Sequence, residues 1–140
     1  MLKNLNPYLN ADLLHVLRSM GHGDELILVD CNFPSDSVAA HTVSGKLIRM
    51  EGLNVPEVAE AILSVYPLDS FVPEPVLRME VVGNPDEWVE CHHEMKKVVD
   101  KTSDREWKFG SIERYAFYER ARNAYAVSYT HLRAHETAYY

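Results

Sequence analysis

Four aliphatic residues stand in a row at Leu26-Ile27-Leu28-Val29, with Gly21-His22-Gly23-Asp24-Glu25 before them and Asp30 after them. A short run with no polar residue to turn toward water reads as a strand buried on both faces. Such strands belong to parallel or mixed sheets covered by helices, so this one segment predicts a layered α/β protein. The flanking sequence supplies the helices. Asn10 is placed to cap one by accepting a first-turn backbone N–H, and Leu13, Leu14, Leu17 and Met20 form its apolar stripe. Gly21 suits the left-handed residue that closes a helix. Asn54, with Pro56 in the first turn and Glu57 three residues after the cap, opens a second helix. Its buried face is Val58, Ala59, Ile62, Leu63 and Tyr66, and Pro67 ends it. Asn84-Pro85 predicts a third helix, with Trp88, His92, Met95 and Val99 on one face, and residues 117–123 have helical propensity. Residues 46–49, 76–82 and a segment starting at Ala124 read as further strands, and residues 32–35 and 101–108 as loops. The length of 140 residues fits one domain.

Composition narrows the function. Lys and Arg together number 14 against 21 Asp and Glu, a formal net charge of −7. A chain this acidic lacks the basic footprint of a nucleic-acid or anionic-membrane binder. No apolar run approaches the roughly 18 residues that would span a bilayer. The opening MLKNLNPYLN has no apolar core of a signal peptide. Two cysteines, Cys31 and Cys91, are too few for a disulfide framework. The expectation is a soluble cytoplasmic domain.

The chemistry-bearing residues gather around the aliphatic run. His22 lies between two glycines, on backbone free to take unusual dihedrals and to approach a ligand closely. An imidazole exchanges protons near neutrality. A surface turn histidine is the plainer alternative. Asp30 stands at the carboxyl end of the expected strand, where open α/β sheets bind ligands. The strand and turn between them leave room for Asp30 to fold back toward His22, where its carboxylate would orient the imidazole or accept sugar-type hydroxyls; a helix cap or turn is its ordinary role. Asp69, in Leu68-Asp69-Ser70-Phe71, reads first as a turn residue. Arg114 and Tyr118 are one helical turn apart, so a guanidinium and a phenol share a face. Cys91-His92-His93-Glu94 is not a metal site, because neighbouring helical residues point about 100° apart and cannot converge on one ion. A helix with His92 half-buried and His93 exposed fits better. No phosphate loop, nucleophile elbow or HExxH motif is present, and nothing marks the Cys31 thiol as activated.

Taken together, these segments resemble a known family. Met20-Gly21-His22-Gly23-Asp24-Glu25, then Asp30 with Asn32-Phe33-Pro34, is similar to the opening of the fucose-mutarotase branch of the ribose-pyranase and fucose-mutarotase family. Ile48-Arg49 with Gly52-Leu53, and Pro67-Leu68-Asp69-Ser70-Phe71, match further along. The most specific segment is Glu113-Arg114-Tyr115-Ala116-Phe117-Tyr118-Glu119-Arg120-Ala121. The resemblance implies a single three-layer α/β/α domain with a mixed sheet over residues 1–127, assembling into rings, often decamers, with sites near subunit contacts. It implies interconversion of monosaccharide anomers, with L-fucose the expected substrate and with neither cofactor nor metal. On this reading His22 is the catalytic proton donor and Tyr118 assists proton movement, while Asp30, Asp69 and Arg114 bind the sugar. Phe33 and Tyr115 offer planar faces for stacking on it. A non-catalytic sugar-binding or transport-accessory module is the competing reading. The ending departs from the family: residues 128–140 lack its Tyr-Gly-Asn segment and resemble translated sequencing-adapter read-through. They are therefore expected to be an atypical tail standing where the family's last strand and part of its site would be.

Overall fold

The computed structural model describes residues 1–130. In chain order the elements are α1 (Ala11–Ser19), β1 (Leu26–Val29), α2 (Ser35–Ala39), β2 (Leu47–Arg49), α3 (Val55–Leu63), β3 (Val76–Met79), α4 (Glu90–Thr102), β4 (Phe109–Ile112), α5 (Arg114–Arg122) and β5 (Ala126–Tyr129). The caps explain two of the helix starts. The Asn10 side chain accepts the Leu13 N–H at 2.8 Å. Asn54 accepts the Glu57 N–H at 2.9 Å while Glu57 accepts the Asn54 N–H at 3.1 Å, a reciprocal pair that satisfies two otherwise orphaned donors.

The α/β class and its layering are as expected, but the described strands do not form the single mixed sheet that the resemblance implied. Among the described residues the strands form two sheets, β1-β5-β2 and β3-β4, and every named strand pair is parallel. The last strand sits in the middle of the larger sheet: Ile27 and Leu47 both pair with Val127. The pleat then sorts its side chains by face. Leu26, Leu28, Ile48 and Ala126 pack with Leu13, Val16 and Leu17 of α1 and Val58, Ala61 and Ile62 of α3. Ile27, Val29, Leu47 and Val127 pack with Val38 and Ala39 of α2 and Phe117 and Ala121 of α5. This is why β1 can be aliphatic at every position. β3 and β4 form a parallel pair whose crossover is α4, and Met79 and Ile112 tie it to the second of these clusters. A third, smaller cluster of Val55, Val89 and Cys91 joins α3 to α4.

Several local expectations are corrected. Gly21 does not close α1: Met20 ends it in extended backbone, and the left-handed residue is Gly23. α3 stops at Leu63, short of Pro67. Asn84-Pro85 makes a turn rather than a helix start, because Glu87 N–H reaches back to the Asn84 carbonyl and the Asn84 side chain donates to Glu87. α4 therefore begins at Glu90, and Trp88 lies ahead of it, with the Arg78 guanidinium over its ring at 5.1 Å. His92 is fully rather than half buried, and its Nδ1 accepts the Val89 N–H. α2 and β4 were not anticipated. β5 continues through Ser128 and Tyr129, and the Thr130 N–H bonds the Val29 carbonyl at 3.1 Å. The remainder of the segment set apart in the sequence lies outside the described residues. Among them, no helix is long and apolar enough to cross a membrane.

Two substitutions test this account by urea unfolding. Leu13→Ala, at a fully buried position between α1 and the sheet, lowers stability by about 2–5 kcal/mol. Asn54→Ala, which removes one half of the reciprocal cap, lowers it by about 1 kcal/mol. Equal small losses from both would contradict the assigned core.

Candidate active site

The loop between α1 and β1 is a tight turn. The Gly21 N–H is held by the Asp24 carboxylate at 2.8 Å, and the Asp24 N–H returns to the Gly21 carbonyl at 3.1 Å. Gly23 takes a φ of 86°, which a residue with a Cβ rarely adopts. The turn pushes His22 outward, so that its side chain is 72 % exposed. Its Nδ1 lies 3.3 Å from Oδ1 of Asp69, and its ring lies 4.5 Å, centre to centre, from that of Phe71. Asp69 is fixed in turn by the Phe71 N–H, which donates to Oδ1 at 2.9 Å. That amide, above all, holds the Asp69 carboxyl below the usual carboxylate range; His22 and the Gly23 amide act in the same direction, against partial burial. With Nδ1 turned to a carboxylate, Nε2 is the nitrogen left to give or take a proton.

A second group forms beyond the other end of β1. Asp30 is buried, and its Oδ1 accepts the Asn32 N–H at 2.9 Å. The Phe33 N–H bonds the Asp30 carbonyl, and the Phe33 ring meets Phe117 and Tyr118 edge-on at 5.7 and 5.3 Å. At the start of α5, capped by Glu113, the Arg114 Nε donates to the Tyr118 hydroxyl at 3.1 Å. The Arg114 guanidinium also lies over the rings of Tyr115 and Tyr118. Phe117 and Ala121 of α5 share a core cluster with Ile27 and Val29 of β1. Near the far end of α5, Arg120 grips both oxygens of Glu25, at 2.9 and 2.7 Å, beside the His22 turn.

Of the residues singled out in the sequence, the fold therefore gathers His22 with Asp69, and Arg114 with Tyr118. It sets Asp30 and Phe33 on the side of the second pair. Of the two roles expected of Asp30, orienting the His22 imidazole or accepting sugar hydroxyls, the first is taken by Asp69, which lies 3.3 Å from Nδ1. The reason is length, since a four-residue strand at about 3.3 Å per residue spans roughly 13 Å, with His22 before it and Asp30 after it. Beside the first pair lies a cavity of about 310 Å³ between β1, α3 and the β3-β4 sheet, with Gly23, Asp24 and Asp69 in its lining. Tyr66 lines it, and burial, with the charges of Asp24 and Asp69 adding to it, pushes its phenol above the ordinary value, so that it stays a neutral hydroxyl. Sequence reasoning assigned Tyr66 to the core stripe and gave Phe71 no role of its own; only the contact between two loops distant in sequence reveals either. Among the described residues no cluster of His, Cys, Asp or Glu could hold a metal ion.

Known proteins can be set beside this geometry. A family model described as the RbsD / FucU transport protein family matches residues 3–138. The L-fucose mutarotase of Actinobacillus pleuropneumoniae serotype 5b (strain L20) is 36% identical over 130 residues, covering 93% of this chain and 87% of that protein. The crystal structure of the fucose mutarotase from Streptococcus pneumoniae in complex with L-fucose matches with a TM-score of 0.80 at 36% identity, over 92% of this chain and 88% of the other. That of protein Atu2016, a proposed sugar binding protein, matches with a TM-score of 0.92 at 44% identity, over 99% and 92%.

The Asp69 environment makes a pH prediction. Because its folded pKa is depressed, the stabilisation from its amide bonds and its pairing is complete above the ordinary value of 3.8. It is lost as pH falls through the lower, folded value. A carbon-detected titration of the Asp69 carboxyl should show a midpoint below 3.8; a midpoint at or above it would contradict the capping described.

Proposed function

Because the chain belongs to the RbsD / FucU transport protein family, we infer that it is a mutarotase interconverting the anomers of a monosaccharide, with L-fucose its substrate. The observation that carries this reading beyond the likeness is the His22–Asp69 pair. An exposed imidazole with one nitrogen fixed by a carboxylate and the other turned outward is suited to hand a proton to a sugar.

Anomer exchange proceeds through the open aldehyde. As the bond between C1 and the ring oxygen breaks, its electron pair stays on that oxygen, which takes a proton. The anomeric hydroxyl loses its proton and becomes the carbonyl. Rotation about the C1–C2 bond and the reverse steps close the ring on the other face. In this scheme His22 Nε2 donates to the ring oxygen, and Asp69 steadies the imidazolium through Nδ1. Tyr118, whose oxygen is held by the Arg114 N–H, serves proton removal at the anomeric hydroxyl. Asp30, Asp69 and Arg114 hold sugar hydroxyls.

These two groups of residues stand at opposite ends of β1, so one chain presents them apart. The reading is therefore of a homo-oligomer in which the His22–Asp69 end of one copy meets the Asp30, Arg114 and Tyr118 end of the next. Phe71 and Tyr115, exposed by 77% and 72% beside the two ends, support this, since apolar rings flanking a polar site are suited to burial in a subunit contact. Rings of copies, and a cytoplasmic location suited to the free thiols of Cys31 and Cys91, belong to the same proposal.

Saturation-transfer NMR of the anomeric signals of L-fucose tests the activity. The full chain should speed exchange, and His22→Ala should slow it by about 10²–10⁴. Binding of L-fucose without exchange would instead mark a sugar-binding module. Mixing tests the shared site: inactive His22→Ala and Tyr118→Phe chains, co-assembled in equal amounts, should regain about a quarter of the sites, whereas a site built within one chain would regain none.

A further inference from the structure

Phe71 is an apolar ring kept in the open. Its side chain belongs to none of the core clusters and is 77% exposed, yet its ring lies 4.5 Å from the His22 imidazole at a tilt of 40°. The same residue donates its backbone N–H to Oδ1 of Asp69, the oxygen that His22 Nδ1 approaches. One residue thus touches both members of the pair, from the ring on one side and from the amide on the other.

We propose that Phe71 is the positioning residue of the His22–Asp69 pair, its ring bracing the imidazole so that Nδ1 stays on the carboxylate and Nε2 faces outward. This inference rests on the mutarotase reading for its kinetic consequence and on the geometry alone for its structural one. The need for a brace follows from the turn. His22 lies between Gly21 and Gly23, is largely exposed, and has a single polar contact among the described residues, at the long distance of 3.3 Å. One such contact leaves the imidazole free to rotate about its Cβ–Cγ bond, which would carry Nδ1 off the carboxylate, bring the Cδ2 carbon into its place and turn Nε2 away. The Phe71 ring, 4.5 Å away at a tilt of 40°, stands in the way of that rotation. Displacing a reacting group by about 1 Å can cost roughly 10²-fold in rate, so loss of the brace reaches the chemistry.

The test separates ring from backbone, because Phe71→Leu and Phe71→Tyr both keep the amide on Asp69. In ¹⁵N spectra of the full chain in alkaline buffer, the neutral His22 of the parent should carry its proton on Nδ1. Phe71→Leu should move both ring nitrogens toward the averaged position of a freely rotating imidazole, and Phe71→Tyr should keep the parent pattern. In L-fucose exchange, Phe71→Leu should lower kcat about tenfold with KM within about twofold, and Phe71→Tyr should restore kcat to within about twofold of the parent. An unchanged tautomer in Phe71→Leu would overturn the proposal, as would a raised KM at unchanged kcat, which would make Phe71 a platform for the sugar. If the parent fails to exchange L-fucose anomers while the tautomer still depends on the ring, the mutarotase reading falls and the positioning role stands.

Discussion

β1 is covered on both faces and hydrogen-bonded along its length to β5, and that double burial dictates where chemistry can stand. A buried strand has no room for a polar side chain without a full set of partners. The four positions of β1 are accordingly aliphatic, and polar groups collect beyond its ends. At the amino end the chain must turn sharply out of α1, and the Gly21–Asp24 turn lifts an imidazole into the open. At the carboxyl end the chain leaves β1 beneath α2, and Asp30 is buried against its own loop. Two polar groups of different character therefore come from one physical cause.

The two groups are secured differently. His22 and Asp69 are joined across loops distant in sequence, by a carboxylate that two backbone amides keep ionised. The negative charge is thereby held first by the Phe71 amide, with His22 adding to it, and it supports a positive imidazolium. Arg114 and Tyr118 are one helical turn apart and would meet on any helix. What the fold adds is Phe33, whose ring packs edge-on against Tyr118 and links the Asp30 loop to α5. The Arg120 Nε–H, shared between both Glu25 oxygens, then ties the other end of α5 to the His22 turn.

The contrast explains what was legible in the sequence. Caps and amphipathic stripes are local, so Asn10, the Asn54–Glu57 box and the aliphatic β1 could be read directly. The pairing of Arg114 with Tyr118 was legible for the same reason. β4 was not, because Phe109-Gly110-Ser111-Ile112 has no aliphatic run; it becomes a strand by pairing with β3. The start of α4 was misplaced because an Asn-Pro pair signals a turn as readily as a cap, and here Glu87 closes the turn. Assigning the imidazole's partner to Asp30 instead of Asp69 had the same origin. Nearness in sequence favoured Asp30, but a strand that must stay straight to pair with β5 carries that carboxylate away from His22.

That straightness also bears on how the two groups could act on one sugar. Bending β1 to bring its ends together would break its register with β5 and uncover both clusters that pack on it. Packed cores deform little, and an internal hinge is least available where a strand is sandwiched between helices. The roughly 13 Å length of β1 therefore keeps its two ends apart. His22 stands before this strand and Asp30 after it. If both residues act on the same sugar, the shorter route is through a neighbouring copy that brings its own opposite end forward, and the apolar rings left exposed beside each end are suited to that contact.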